Sequence, residues 1–334
     1  MKWVAKEFLG GIAVGLVAAL LAALPPAVQA QDTAKIVRIG RLSPLSEEAA
    51  ALQSEAFRRG LRDLGWVEGK NYTIESLFAQ GKMDRLPALA AELVQRRVDI
   101  ILVGSSPGTL AVKNATRIIP VVMVTTGDPV ADGLVQSLAR PGGNLTGVTT
   151  LAQGLNAKRV QLLKESVPGM TRMAVLTNPG DSYSAAFAKE REEVARALGV
   201  KIQVLEASGP SMFDQAFAAA AGERAQALSV LSGIVFQTHR QTIVELAASR
   251  RLPAIYPERA FVEAGGLMYY GAGLSDMYRH VAAHVDKILK GAKPAELPVE
   301  QPTQFELVIN LKTARQLGSK IPQPVLLRAD QLIE

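Results

Sequence analysis

Short loops of serine, threonine, asparagine and glycine recur where apolar runs give way to helical patterns. Ser43-Pro44-Leu45-Ser46 follows one such run, Gly104-Ser105-Ser106-Pro107-Gly108-Thr109 another, and Thr125-Thr126-Gly127-Asp128-Pro129 a third. Asn178-Pro179-Gly180-Asp181-Ser182-Tyr183-Ser184 and Ser232-Gly233 occupy the same kind of position farther along. Hydroxyls and the free amides of helix N-termini suit a small anion such as a carboxylate. The same residue types also cap helices, and for any single loop capping is the sufficient reading. Five such loops together point to a ligand cleft. The junction at Gly104–Thr109, a buried strand meeting a helix N-terminus, places the acidic end of a ligand near Ser105 and Ser106, where the helix dipole favours negative charge.

Other chemistry finds little support. His280 and His284 are four residues apart on a helical pattern, but Val281-Ala282-Ala283 between them supplies no acidic residue, so packing or surface exposure is preferred to a metal site. There is no Gly-x-Ser-x-Gly turn and no lysine-bearing phosphate loop. With no cysteine, the chain has no disulfide, thiolate metal site or cysteine nucleophile. No catalytic group, metal or cofactor is expected. Tyr269-Tyr270 could stack on an aromatic ligand or fill a strand end, with only one of the two able to point inward from an extended strand.

The elements that must carry these loops alternate as in βα units around parallel sheets. Strands are expected over 36–42, 72–79, 99–103, 120–125 and 145–149, with helices over 47–64, 84–97 and from about 107. A second series follows, with helices over 157–167, 184–198, 213–221, 240–250 and 275–289 and strands over 172–177, 201–206, 227–231, 254–256 and 267–270. The Gly- and Pro-rich stretch Arg140–Gly147 leads into the expected hinge. In open parallel sheets ligands sit beyond the carboxyl ends of the strands, which is where the polar loops fall.

Residues 1–30 fix the compartment. Lys2 and Lys6 precede an uncharged apolar run, Leu9–Leu24, and Val28-Gln29-Ala30 offers the small residues a signal peptidase reads. The run is shorter than the ~20 residues a membrane span needs, and Pro25-Pro26 breaks it. A cleaved signal peptide, export to the periplasm and a soluble mature chain of about 300 residues are expected, long enough for two domains. The formal charge of +6 becomes +5 once Lys2, Lys6 and Glu7 are removed, and it is interspersed rather than clustered with aromatics. Nucleic acid is therefore not an expected partner.

Several longer stretches resemble one family. They are Asp128–Gly147 (DPVADGLVQSLARPGGNLTG), Leu252–Tyr256 (LPAIY), Phe261–Gly271 (FVEAGGLMYYG), Val285–Gly291 (VDKILKG), Leu297–Gly318 (LPVEQPTQFELVINLKTARQLG) and Arg328-Ala329-Asp330. Over essentially the whole mature chain the sequence resembles the ABC transporter substrate-binding proteins of the type I periplasmic binding fold, in the group that includes tryptophan/tyrosine-type amino-acid binding proteins. The resemblance implies an α/β protein of two Rossmann-like lobes with parallel sheets joined by a three-crossover hinge. Residues 31–150 plus about 272–300 would form the N-terminal lobe, and 151–271 plus about 301–334 the C-terminal lobe. It implies a monomer that binds a small molecule, an amino acid or a small carboxylate, and hands it to an inner-membrane permease. Carried over, the ligand positions are Ser43, Ser105, Ser106 and Asp128 from the first lobe, faced by Asn178, Ser232, Tyr256 and Tyr270, with Thr125 and Ser182 completing the loops. Many relatives carry Asp-Pro where this chain has Gly233-Ile234, so a side-chain acceptor for a ligand amine is missing from that loop. Two other roles share such a scaffold: an exported enzyme, or the ligand-binding partner of a sensory receptor.

Overall fold

The computed structural model describes residues 36–150 and 153–334. The expected signal peptide, residues 1–30, lies outside the described residues. Ile36–Glu334 forms one compact unit built on two sheets. The chain begins β1 (Val37–Ser43), α1 (Ala51–Asp63), β2 (Tyr72–Phe78), α2 (Leu86–Gln95), β3 (Ile100–Val103), α3 (Ser106–Ala115), β4 (Val121–Thr125) and β5 (Leu145–Thr149). These strands form a parallel sheet of order β2-β1-β3-β4-β5. β3 and β4 are buried along their whole length, as continuous apolar runs with helices on both faces must be.

The second series is α4 (Gln153–Ser166), β6 (Arg172–Thr177), α5 (Ser182–Leu198), β7 (Lys201–Glu206), α6 (Phe213–Gly222), β8 (Leu228–Val230), α7 (Ile234–Thr238), α8 (Arg240–Ser249), β9 (Ala254–Tyr256), α9 (Arg259–Glu263), β10 (Met268–Ala272) and α10 (Leu274–Leu289). The tail supplies β11 (Phe305–Asn310), α11 (Leu311–Leu317), α12 (Gln323–Leu326) and β12 (Gln331–Ile333). Strand order in the second sheet is β12-β11-β10-β9-β8-β6-β7, parallel except where β11 runs antiparallel to β10. Apolar clusters cover both faces of each sheet, giving two α/β lobes.

The chain crosses between the lobes after β5, after β10 and before β11. α10 leaves the second lobe and packs on α1 of the first, where Gly60 allows the close approach: a Cβ there would lie 2.8 Å from the Ala282 Cβ. The returning segment runs beside β5, with Glu300 N donating to Gly147 O and Thr149 N to Glu300 O, both at 2.9 Å. His284 is buried under this crossover, its ring nitrogens 2.9 Å from the carbonyl oxygens of His280 and Pro298. That is a packing role, as expected. Two helix starts move by four residues relative to the sequence reading. α1 begins at Ala51 rather than 47 because the Ser46 hydroxyl accepts from Ala49 N and holds a preceding turn, and α4 begins four residues before 157.

Candidate functional site

A cavity of about 460 Å³ opens between the lobes, at the carboxyl ends of the strands. Its first-lobe wall starts at the N-terminus of α3. Ser105 caps that helix, its hydroxyl accepting from Gly108 N at 3.0 Å, and both Ser105 and Ser106 line the cavity. β4 then delivers Thr125, Thr126 and Gly127. Thr125 is only 1 % exposed, and its Oγ1 has no hydrogen-bond partner. Leu52, Leu110, Leu134 and Met277 make most of the rest of this wall apolar.

The second-lobe wall is charged. Arg159, 2 % exposed, projects from α4; its Nε donates to Tyr270 O at 2.8 Å and its Nη1 to Asn156 Oδ1 at 3.1 Å. The loop after β6 brings Asp181 and Tyr183, the loop after β8 brings Ser232 and Gly233, and the loop after β9 brings Glu258 and Arg259. Arg259 is already paired with Glu263 and Glu306, each at 3.1 Å. Burial raises the Asp181 carboxyl above the usual carboxylate range. Burial also pushes Glu258 up to about 7, against the opposing pull of the Arg159 charge and the Ser232 hydroxyl. Glu258 Oε2 and Asp181 Oδ2 are both sealed from solvent and lack hydrogen-bond partners. Desolvation without a partner is the condition in which a carboxyl keeps its proton.

Of the residues singled out from sequence, Ser105, Ser106, Thr125 and Ser232 line this cavity. Ser182 opens α5, and its side chain lies outside the described residues. The others sit elsewhere. Ser43 accepts from Leu45 N, Asp128 from Val130 N and Ala131 N, and Asn178 from Gly180 N, so each shapes its own turn. Tyr256 turns into the second-lobe core and stacks on Phe261 with ring centroids 4.8 Å apart. Tyr270 lies against Phe305, while its neighbour Tyr269 takes the cavity side of β10 and donates to Ala272 O at 2.7 Å.

Arg159, Asp181, Tyr183 and Glu258 were not singled out by the sequence reading, which left open whether Tyr269 or Tyr270 points inward. Asp181 stood within a noted loop, where its type reads as a helix cap. Glu258 and Arg159 carried no motif. Among the described residues no cluster of histidine or carboxylate side chains could hold a metal ion. Such a wall can hold opposite charges side by side and shield them from water, which is what a small zwitterion requires.

Residues 38–333 match the family model for the ABC transporter substrate binding protein. A tyrosine-binding protein of Clostridioides difficile (strain R20291) is 25% identical over 286 residues, 86% of this chain and 82% of that protein. Among solved structures, a conserved domain protein from Vibrio cholerae O1 biovar El Tor is 27% identical with a TM-score of 0.82, covering 89% of this chain and 100% of that one. An ABC domain from Streptococcus pneumonia, solved in complex with L-Trp, is 26% identical with a TM-score of 0.80 over the same shares. Structural neighbours of lower identity, such as a solute-binding protein from Agrobacterium vitis at 16%, share the two-lobed type I periplasmic binding fold. The chain belongs to the ABC transporter substrate-binding proteins.

Proposed function

We propose that this protein captures a free amino acid with a bulky apolar side chain in the periplasm and presents it, unaltered, to the permease of an ABC importer. The asymmetry of the cavity carries this reading. Arg159, Asp181 and Glu258 supply both signs of charge on one wall, while Leu52, Leu110, Leu134 and Met277 supply an apolar wall opposite. An amino acid has the matching asymmetry, with two charged groups on one carbon and a side chain leading away. The volume falls within the roughly 300–1,000 Å³ typical of small-molecule pockets. Relatives named for tyrosine binding and solved with L-Trp agree with a large side chain. We place the ligand carboxylate at Arg159 rather than at Ser105 and Ser106, because a guanidinium recognises a carboxylate more strongly than neutral hydroxyls do.

A thermal-shift screen of the common amino acids and small carboxylates tests the reading. The ligand should stabilise the folded chain by about 2.7 kcal/mol at 100 times its Kd. Mass analysis should return the ligand unchanged, and small-angle scattering should show a more compact particle, since contacts to both lobes drive closure. Turnover of a hit would refute the carrier role, and a screen without amino-acid hits would refute the ligand class. The compartment has its own test. Intact mass of protein recovered from the periplasm should correspond to a chain starting at or near Gln31, whereas a mass retaining residues 1–30 would overturn export by a cleaved signal peptide.

A further inference from the structure

Gly233 carries no side chain, and the space beside its Cα is occupied from another loop. A Cβ built on Gly233 would lie 2.8 Å from Asp181 Oδ2. The Asp181 carboxylate therefore lies where a side chain at position 233 would begin. The adjoining Ser232 hydroxyl lies beside Glu258 and draws its pKa down. Two carboxyls from two different loops thus converge on Ser232-Gly233, each with one oxygen sealed from water and unpaired. On the opposite wall the nearly inaccessible Thr125 Oγ1 is also unpaired. Unpaired buried polar atoms are costly, and four of them, counting Asp132 Oδ2 of the first lobe, line one cavity and mark groups that await a partner.

We propose that Asp181 and Glu258 together receive the cationic amine of the solute, and that its arrival expels one proton from this carboxyl pair into solvent. The proposal rests on the reading of this cavity as an amino-acid site. Asp181 and Glu258 each bury a carboxyl oxygen without a partner, which disfavours the anion, so the empty site keeps a proton on Glu258. An incoming ammonium donates to both and removes the need for it: one O–H bond is given up, the proton passes to the buffer, and two charge-assisted hydrogen bonds take its place. The surrounding charges agree. From α4 Arg159 faces Glu258, Arg259 on α9 is committed to Glu263 and Glu306, and Tyr183 and Tyr269, both raised by burial, stay neutral at physiological pH. Across the cavity stand Asp132 and Tyr278 of the first lobe, the latter also raised by burial. The proton-bearing group is Glu258, which burial holds at about 7.

The test is calorimetry on the full exported chain with L-tyrosine and L-tryptophan, in buffers of different ionisation enthalpy. At pH 6.5 roughly three-quarters of a proton should leave per ligand bound, and affinity should be roughly fiftyfold weaker at pH 5 than at pH 7.5. Glu258→Gln should bind with no proton release and a nearly flat pH profile. Asp181→Asn should bind at least tenfold more weakly yet still release the proton. The deamino analogues, 3-(4-hydroxyphenyl)propanoate and 3-indolepropanoate, should release none. If neither these two nor any other amino acid binds the parent protein, the amino-acid reading falls and this proposal with it. If amino acids bind without proton exchange, or with equal affinity in both variants, the proposal alone is overturned. Should Asp181→Asn fail to fold, the proton count of the parent and of Glu258→Gln decides.

Discussion

Replacing Arg159 with methionine will abolish amino-acid binding and cost roughly 3 kcal/mol of stability, taking about 1–3 kcal/mol for each buried acceptor left without its charged donor. Three acceptors lose that donor: the Tyr270 carbonyl at 2.8 Å, Asn156 Oδ1 at 3.1 Å, which keeps the Tyr183 hydroxyl as a donor, and the Tyr183 hydroxyl at 3.5 Å. Methionine matches the aliphatic part of the side chain, so the loss reports the guanidinium rather than a cavity. The binding loss has a separate origin. Arg159 is the cationic group of the cavity not already committed to surface carboxylates, and it also opposes the upward push of burial on Glu258. Without it that carboxyl should hold its proton above the present value of about 7. Arg159→Lys should recover part of the stability and little of the affinity, since an ammonium cannot reproduce the planar fork. Denaturant titration and calorimetry on the two variants check this. Full affinity in Arg159→Met would remove the carboxylate from this position.

The lobes were legible because parallel strands buried on both faces leave continuous apolar runs, and β5, β6, β7 and β9 fall where the sequence reading puts them. The short helices α7 and α9 escaped it: five residues make little more than one turn and show no period. Both follow strand ends and place residues in the cavity. The strand-end rule found the hydroxyls of Ser105, Ser106, Thr125 and Ser232 because those loops depend only on local order. The charged groups follow a different logic. Arg159 sits in α4 amid lysines, where a cation normally reads as a solvated face, and only the third dimension turns it inward. For Tyr269 and Tyr270 the alternation of a strand guaranteed one inward ring, but helices cover both sides of the sheet, so neighbouring residues could not name which. Asp181 was masked by its type, since aspartate before a helix is ordinarily a cap. Its carboxylate makes no capping bond to α5.

Two glycine-to-alanine changes should act in opposite directions and locate the hinge. Gly147 lies in β5 with φ +142°, and a Cβ there would sit 2.1 Å from Met123 O and 2.6 Å from Met123 N. Both contacts are to the backbone of β4, the partner strand, so no side chain can turn aside to relieve them. The carbonyl of the same residue accepts Glu300 N at 2.9 Å from the returning crossover. Alanine at this position must therefore push β5 from β4, or the crossover from β5, and β4 ends in Thr125 at the cavity. Gly147→Ala should cost more than about 4 kcal/mol, the size reserved for a specific backbone or packing failure, and any protein that still folds should have lost its ligand response. Gly154, exposed in the first turn of α4, has nothing within 4 Å of its would-be Cβ. There alanine only restricts the unfolded chain and should be neutral or stabilising by about 0.5 kcal/mol. Expression level and thermal midpoints of the pair, with and without ligand, provide the measurement. A Gly147→Ala protein that melts with its parent would show that β4 and β5 do not approach as closely as this junction requires.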